Sequence, residues 1–252
     1  MEVATLLFNE ILIRPLFNLL VLVYQILPVK DFGVAIILVT IFTRLLLYPL
    51  SHKALRSQKM LTELQPKIKE IQKKFKEKKE EQAREVMALY KTHSINPFAG
   101  CVPVLIQLPI LIALYQVFLT GLETDALRSV YSFISAPEAI NPFFLGFINL
   151  AVASPPLAVL AGLAQFFQSK ITFSQKQTSG GSPKEKGTPD FQKMMGRQMT
   201  YVMPFFTTFI AWKFPAGLPL YWMTTMLFSF GQQYIINKSV SKEDFLQKKD
   251  VQ

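Results

Sequence analysis

The residue of this sequence best suited to chemistry is Arg44, which lies inside an apolar run at 32–51. An arginine near the centre of a bilayer costs about 2.5–3.5 kcal/mol on insertion scales. Its charge therefore needs an ion-pair partner, a route to the membrane interface or contact with water. The five runs that could cross a bilayer contain no Asp or Glu that could pair with it. Two explanations remain open: the side chain snorkels to the membrane interface, or it faces a wet cavity, where it either attracts acidic groups or only keeps the cavity hydrated.

Other polar residues in the five apolar runs favour the wet cavity. They are Thr40, Thr43, Gln107, Gln116, Gln165, Gln168, Thr207, Thr208, Thr224 and Thr225. Such residues also serve as ordinary hydrogen-bonding groups between membrane helices. Prolines within the runs, such as Pro109 and Pro204, free backbone carbonyls, which protein or cavity water must satisfy. These patterns predict helices bent around an interior that is not wholly dry.

Catalytic and metal-binding patterns are missing from the sequence. The apolar runs contain no carboxylate pair and no Ser–His set, and no Gly-rich loop could cradle phosphate. The single Cys101 excludes an internal disulfide, and His52 and His93 are too far apart to indicate a metal site. We therefore expect no enzyme activity, no metal and no cofactor.

Composition predicts an all-α polytopic membrane protein. Half of the 252 residues are hydrophobic and 17% are charged, which excludes a disordered chain and disfavours a soluble enzyme. The five predicted spans lie at about 32–51, 97–119, 143–168, 199–213 and 216–237. The fourth is short and contains Pro204, so it would span only by thinning the bilayer or by leaning on neighbouring helices.

The N-terminal segment, residues 1–30, is predicted to be an amphipathic helix in the membrane interface. Its apolar run at 3–27 contains Glu10 and Arg14, which are four residues apart and share one helix face. A sixth span is the alternative. A cleaved signal peptide is disfavoured because the usual basic start and small-residue cleavage site are not apparent.

The distribution of Lys and Arg predicts the orientation. Residues 53–93 hold 12 Lys and Arg against 6 acids, whereas residues 121–141 hold only Arg128 against three acids. Since cytoplasmic loops collect Lys and Arg, residues 53–93 and the loop 170–197 should be cytoplasmic. This places the N-terminus outside and the short tail, 239–252, in the cytoplasm. The net charge of +10 then reflects topology, and no nucleic acid binding is expected.

Residues 53–93 are predicted to form a helical hairpin. Leu61, Leu64, Ile68, Ile71 and Phe75 follow a 3, 4, 3, 4 spacing, which makes one apolar stripe, and Ala83, Val86 and Tyr90 make a second. Such a hairpin is either a small solvated helix pair or a docking arm for anionic lipids, the ribosome or a nascent chain. Residues 174–190 are rich in Gly, Ser, Pro and Lys and predict a flexible linker.

Three motifs resemble the YidC/Oxa/Albino family of membrane protein insertases. INPFAGCVPVLIQLPILIALYQVF at 95–118 resembles the family's second-span signature. The segment 43–75, TRLLLYPLSHKALRSQKMLTELQPKIKEIQKKF, resembles the sequence that precedes it, and FPAGLPLYW at 214–222 resembles the start of the last span. The motifs stand in the family's order and spacing, and the resemblance covers about 30–238.

The resemblance implies five helices around a hydrophilic groove, open to the cytoplasm and to lipid, with a cytoplasmic hairpin after the first span. Arg44 matches the groove arginine, and Gln168 and Trp222 look like its polar companions. Gln107 and Tyr221 are weaker carry-overs. Gln165 competes with Gln168, because the third-span motif is loose.

The function implied is that of an insertase and chaperone for nascent membrane proteins, in the bacterial cytoplasmic (inner) membrane. It would act alone or with a Sec-type translocon, with the ribosome and anionic lipids as further partners and no small-molecule substrate. The chain departs from the family in lacking a large periplasmic domain, an N-terminal lipoprotein Cys and a long basic tail. The alternative is an anion channel or small-solute transporter that uses Arg44 as its selectivity charge, and a further one is a passive folding scaffold.

Overall fold

A computed structural model describes residues 6–93, 96, 102–120, 127, 129–174 and 198–249 of the chain. These residues form nine α-helices and one two-stranded sheet. The elements are α1 (Leu6–Ile26), α2 (Phe32–Leu46), α3 (Tyr48–Glu63), α4 (Gln65–Lys74), α5 (Lys79–Thr92), α6 (Val102–Thr120), β1 (Phe143–Phe144), β2 (Ile148–Asn149), α7 (Pro155–Ser174), α8 (Met203–Ala211) and α9 (Gly217–Lys249). The chain divides into two compact units, one of residues 1–46 and 107–231, the other of residues 47–106 and 232–252.

The core of the first unit is built mainly from α1, α2 and α6. On α2 the buried residues Phe32, Ala35, Ile36 and Val39 follow the helical period, which gives this helix one inward face. Phe32 stands edge-on to the rings of Tyr24 on α1 and Phe118 on α6, with centroids 6.2 Å apart in both pairs. These aromatic contacts join the three helices at the start of α2. A π-helical segment, Asn9–Ile13, interrupts the first half of α1.

Hydrogen bonds fasten α1 along the segment that connects α6 to α7. Asn18, which is fully buried, donates to the carbonyl of Ser129 and accepts from the backbone N–H of Tyr131. Farther along α1, the Tyr24 hydroxyl accepts from the N–H of Asn141. Because buried polar groups are costly when unpaired, these bonds hold the connecting segment against α1.

The start of α9 is tied to the chain that precedes α7. The N–H of Ala216 donates to the carbonyl of Val152 at 2.9 Å, and the N–H of Gly217 donates to that of Leu150 at 3.1 Å. A Cβ at Gly217 would stand 2.7 Å from the ring of Phe118, so only glycine permits this approach of α9 to α6. A π-helical turn, Gln198–Val202, leads into α8, which packs on α7.

In the second unit, α4 and α5 form a helical hairpin whose turn lies at 75–78. Leu64 and Ile68 are buried and pack against Val86, Leu89 and Tyr90 of the opposite helix. Burial in this contact raises the pKa of the Tyr90 phenol. The side-chain amide of Gln82 donates to the carbonyl of Gln72 at 3.0 Å and secures the two helices near the turn. In the same unit, Gln232 of α9 donates to the hydroxyl of Ser51 on α3 at 2.7 Å.

The helix bounds differ from the predicted spans in two places that have clear causes. The prediction of a span from residue 143 is wrong at its start, because β1 and β2 pair there around a turn where Leu145 and Gly146 have φ of 52° and 79°. The helix begins only at Pro155, a residue suited to the first helical position. The predicted run 32–51 is interrupted at Leu47, because Pro49 cannot donate to the carbonyl of residue 45.

Other bounds also shift. α9 continues to Lys249 through most of the predicted tail, and α8 spans only residues 203–211. Residues 97–101 of the predicted second span and 175–197 of the predicted loop lie outside the described residues.

By length and apolar composition, fewer than five of the described helices qualify as spans. Leu6–Ile26 qualifies alone, Phe32–Leu46 qualifies only together with the helix after the break, and Leu105–Leu119 is apolar but shorter. Polar side chains such as Gln165, Gln168 and Thr224 lower the mean hydropathy of the remaining helices. The number of five spans therefore stays a prediction.

The contact between α7 and α8 provides a test of this packing. A Cβ at Gly162 would overlap the Thr208 hydroxyl oxygen and stand 3.1 Å from the carbonyl oxygen of Pro204, whereas a Cβ at Gly231 meets nothing within 4 Å. We expect Gly162→Ala to destabilise the protein by about 1–3 kcal/mol, as overpacking does. Gly231→Ala, the matched control, should leave stability unchanged or raise it through better helix propensity.

The measurement is the thermal unfolding midpoint of the purified variants in detergent. Adding Thr208→Ala to Gly162→Ala should recover part of the loss, since it removes the overlapping oxygen. Equal midpoints for the two single glycine variants would show that α7 and α8 do not pack as described.

Candidate functional site

Arg44 lies in the last turn of α2, on the same side of the helix as the buried residues that precede it. Its side chain is half-buried. Two threonines precede it: Thr40 donates to the carbonyl of Ile36, and Thr43 donates to the carbonyl of Thr40 at 2.9 Å. Both hydroxyl protons are therefore used by the helix backbone, as is common for threonine within helices.

Arg44 is the first member of a chain of hydrogen bonds that crosses three helices. Its Nη2 donates to the Oε1 of Gln107 on α6, and the Nε2 of Gln107 donates to the hydroxyl of Tyr221 on α9 at 2.7 Å. Tyr221 is only 2% exposed. We call Arg44, Gln107 and Tyr221 the polar triad.

The polar triad holds a positive charge with neutral partners. Among the described residues Arg44 forms no ion pair, whereas Arg14 pairs with Glu10 and Lys78 pairs with Glu81. A guanidinium presents five N–H donors, and the one acceptor that the structure shows for it is an amide oxygen. A carboxylate, phosphate or other anion would therefore be a stronger partner than the one present.

The backbone positions each member of the polar triad. Gln107 lies two residues before Pro109, which removes one hydrogen bond from α6 and frees the carbonyl of residue 105. Tyr221 lies one turn after Gly217, where α9 is tied to Leu150 and approaches Phe118. Tyr221 therefore lies near the start of a helix that contacts with Leu150 and Phe118 hold in place.

Of the five residues that the sequence singles out, the structure brings together Arg44, Gln107 and Tyr221. It does not place Gln168 or Trp222 in this triad, although both belong to the described residues. Gln168 is half-buried on α7, and Trp222 is half-buried next to Tyr221 on α9. The two weaker carry-overs are therefore the ones linked to Arg44, Gln107 directly and Tyr221 through Gln107.

Within the described part of the chain, two further polar atoms are buried and find no hydrogen-bond partner. They are the Oε1 of Gln165 on α7 and the hydroxyl of Thr225 on α9. Thr225 follows Tyr221 by four residues and therefore shares its helix face. The sequence shows both among the polar residues of the runs but offers no sign that they differ from the rest. Residues that could hold a metal do not cluster in the described part of the chain.

The sequence profile of the 60Kd inner membrane protein family matches residues 22–243. The membrane protein insertase YidC of Oceanobacillus iheyensis is 34% identical over 213 residues, which are 83% of this chain and 75% of that protein. YidC of Geobacter sulfurreducens is 34% identical over 84% of this chain and 34% of its own length. YidC of Chlamydia caviae is 36% identical over 82% of this chain and 25% of its own length.

The fold has a similar solved structure, a crystal structure of an active YidC insertase with its first transmembrane domain resolved. The TM-score is 0.57 at 26% identity, and the match covers 90% of this chain and 46% of that one. This chain thus spans a quarter to about a third of two of the relatives and just under half of the solved chain. The matches confirm the resemblance seen in the motifs: this chain belongs to the 60Kd inner membrane protein family, which includes the bacterial YidC insertases.

Proposed function

We propose that this chain is an insertase and folding chaperone for nascent membrane proteins. The polar triad receives a hydrophilic segment of the client while the client's apolar segment passes into lipid. The observation that carries the proposal is the neutral environment of Arg44, whose described partner is an amide and not a carboxylate. Membership of a family that contains the YidC insertases supports the same assignment.

An acidic residue of the client would supply the partner that Arg44 lacks. Two opposite charges 4 Å apart attract by about 4 kcal/mol at an effective dielectric constant of 20. This matches or exceeds the roughly 2.5–3.5 kcal/mol that a charged side chain costs at the centre of a membrane helix. The attraction is therefore large enough to draw a short acidic segment partway across the membrane. The ion pair breaks again when the segment leaves.

Water would lower the remaining cost of moving the polar segment. Buried polar atoms in proteins are nearly always paired, and where the protein offers no partner an ordered water usually does so. The Oε1 of Gln165 and the hydroxyl of Thr225 are such atoms, on the two helices that the proposed groove requires. They support a groove with water in it, between α2, α6, α7 and α9.

The apolar segment of the client would move along exposed apolar faces of α7 and α9. On α7 the exposed residues Leu160, Leu163 and Phe167 recur at helical spacing, and on α9 Leu227 and Phe230 are exposed. Transfer of apolar surface from water is worth about 25 cal/mol per Å², so release into lipid needs no nucleotide. The short helix α8 would assist by thinning the bilayer beside α7.

The helical hairpin would receive the client on the cytoplasmic side. Residues 53–93 carry an excess of six positive charges, 12 against 6, which suits a position next to anionic lipid heads. We propose that it accepts clients directly from the ribosome or through a Sec-type translocon.

For the orientation, we propose that α1 lies in the outer interface. Its residues Arg14, Asn18, Tyr24 and Gln25 all bond to the connecting segment 129–141, which carries few positive charges and is expected outside. A helix that bonds to this segment along three of its turns stays beside the segment over that length. It therefore remains on the outer side and does not cross the bilayer. The opposing observation is its length, because Leu6–Ile26 is long and apolar enough to span.

Protection of a client tail from protease tests the role of Arg44. Liposomes containing only this protein would receive a single-span client with a short acidic tail, which becomes protected when it crosses. We expect Arg44→Ala to reduce protection at least tenfold, because the attraction lost, about 4 kcal/mol, exceeds the roughly 1.4 kcal/mol that a tenfold change requires. Arg44→Lys should retain much of it, since the charge remains.

Three outcomes of this assay count against parts of the proposal. Equal protection by all three proteins would contradict the charge mechanism. The channel would be favoured if the unsubstituted protein gives no tail protection but lets small anions cross the liposome membrane, and if this anion flux depends on Arg44. Accelerated folding of a client without tail protection would favour the passive scaffold.

Tyr221→Phe tests whether the triad positions Arg44. The change removes the acceptor of the Gln107 Nε2 proton, and a buried unpaired donor costs about 1–3 kcal/mol. We expect the initial insertion rate of the acidic-tail client to fall several-fold, with a smaller effect on a client whose tail is neutral. Tyr234→Phe on the exposed side of α9 is the control and should match the unsubstituted protein. Equal losses with both clients would assign Tyr221 a purely structural role.

Cysteine labelling tests the orientation of α1. Single cysteines at Glu10 and Lys30, in a Cys101→Ser background, would be exposed to an impermeant maleimide on intact bacterial cells. We expect both to be labelled, whereas a cysteine at Lys74 in the hairpin should react only after permeabilisation. If the cysteine at residue 30 reacts on intact cells but the cysteine at residue 10 reacts only after permeabilisation, α1 spans the membrane.

A further inference from the structure

The β1–β2 hairpin is an aromatic turn held at the beginning of α2. Phe143 pairs with Asn149, and Phe144 pairs with Ile148. Between them Leu145 and Gly146 take positive φ values of 52° and 79°, a conformation that a leucine adopts only where its surroundings enforce it.

Two contacts with the start of α2 enforce this turn. One carboxylate oxygen of Asp31 accepts from the N–H of Val34 and caps the helix at 2.9 Å, while the other accepts from the N–H of Leu145 at 2.7 Å. The ring of Phe144 lies where a Cβ of Gly33 would be, so the two backbones approach as closely as they can. The hairpin is therefore a rigid projection.

The outward side of this projection is apolar. Leu145 is 58% exposed and Phe147 is 71% exposed. Val29, in the connection between α1 and α2, is 73% exposed, and Ile26, the last residue of α1, is 72% exposed. We call these four side chains the apolar tip. The turn is held in place by a buried carboxylate and a packed glycine, yet it exposes its largest apolar residues. An exposed apolar surface of this kind indicates that lipid or another protein covers it.

We propose that the apolar tip is inserted into the outer leaflet of the membrane, where it sets the depth of α2 and so of Arg44. This inference rests on the proposed membrane topology. On α2 itself Leu38, Phe42 and Leu45 are also exposed, and the proposed topology places them against lipid. Phe and Leu are among the residues with which interfacial segments enter a bilayer.

The charges near the hairpin match a lipid occupant. Residues 139–169 contain no Asp, Glu, Lys or Arg, so the hairpin and the chain around it lack the polar rim of a typical protein interface. The exposed charged side chain next to the apolar tip is Lys30, whose ammonium suits a lipid phosphate. The carboxylate of Asp31 is turned inward by its two hydrogen bonds.

The depth of a fluorophore tests this inference without any client. In a Cys101→Ser background, Phe147→Cys would carry an environment-sensitive nitrobenzoxadiazole label, and the protein would be placed in nanodiscs of phosphatidylethanolamine and phosphatidylglycerol. The matched control is Glu138→Cys, an exposed charged position of the same connecting segment. Lipids brominated near the headgroup should quench the label at 147 about twofold, as a depth of about 5–10 Å requires. The control label should be quenched by iodide in the water instead.

Two results would overturn the inference. Iodide quenching at 147 as strong as at 138 would place the apolar tip in water. Protection of the 147 label from both bromine and iodide would place it against protein, such as a second copy. Because no client is present, either result leaves tail protection by the same protein in sealed liposomes as a separate measure of the proposed function.

Discussion

A guanidinium held in an apolar helix by a neutral amide is the interaction on which the rest of this structure depends. Arg44 belongs to an apolar helix, its described partner is Gln107, and Gln107 is in turn anchored on the buried phenol of Tyr221. The arrangement orients the charge without neutralising it. A carboxylate at the position of Gln107 would lower the energy of the resting protein but would compete with every acidic client. Under the proposed function, this incomplete stabilisation of the charge leaves Arg44 able to pair with an acidic client.

Such a charge must be held in place by parts of the protein that are fully satisfied. The side chains of Asn18 and Tyr24 pair backbone groups of the connecting segment, while Asp31 and the bonds of Ala216 and Gly217 pair backbone groups at the starts of α2 and α9. Aromatic contacts around Phe32 fill the space between them. Unpaired polar atoms occur instead on α7 and α9, at Gln165 and Thr225. One part of the first unit is therefore closely paired, while another leaves polar atoms unpaired.

The sequence predicts the components of the site better than it predicts their contacts. Arg44 is conspicuous because charges are rare in apolar runs, and the helices of the hairpin are visible in the 3, 4 spacing of Leu64 and Ile68. The choice among polar partners is not visible, because Gln107, Gln165 and Gln168 have the same side chain in similar apolar surroundings. Likewise the start of α7 could not be read from hydropathy, since the β1–β2 hairpin is as apolar as a span. Its turn depends on Asp31, more than a hundred residues earlier in the chain.

The sequence by itself determined that this is a helical chain with apolar runs, a basic hairpin and one uncompensated arginine, because composition and local periodicity control these properties. Its motifs also determined the family. Only the tertiary structure decided that Gln107 and Tyr221 hold Arg44, that Thr225 and Gln165 remain unpaired, and that α1 is fastened to the segment 129–141. The physical reason is that a hydrogen bond requires its two atoms to lie within about 3 Å of each other. Partners 63 and 114 residues apart in the chain meet only after the helices have packed.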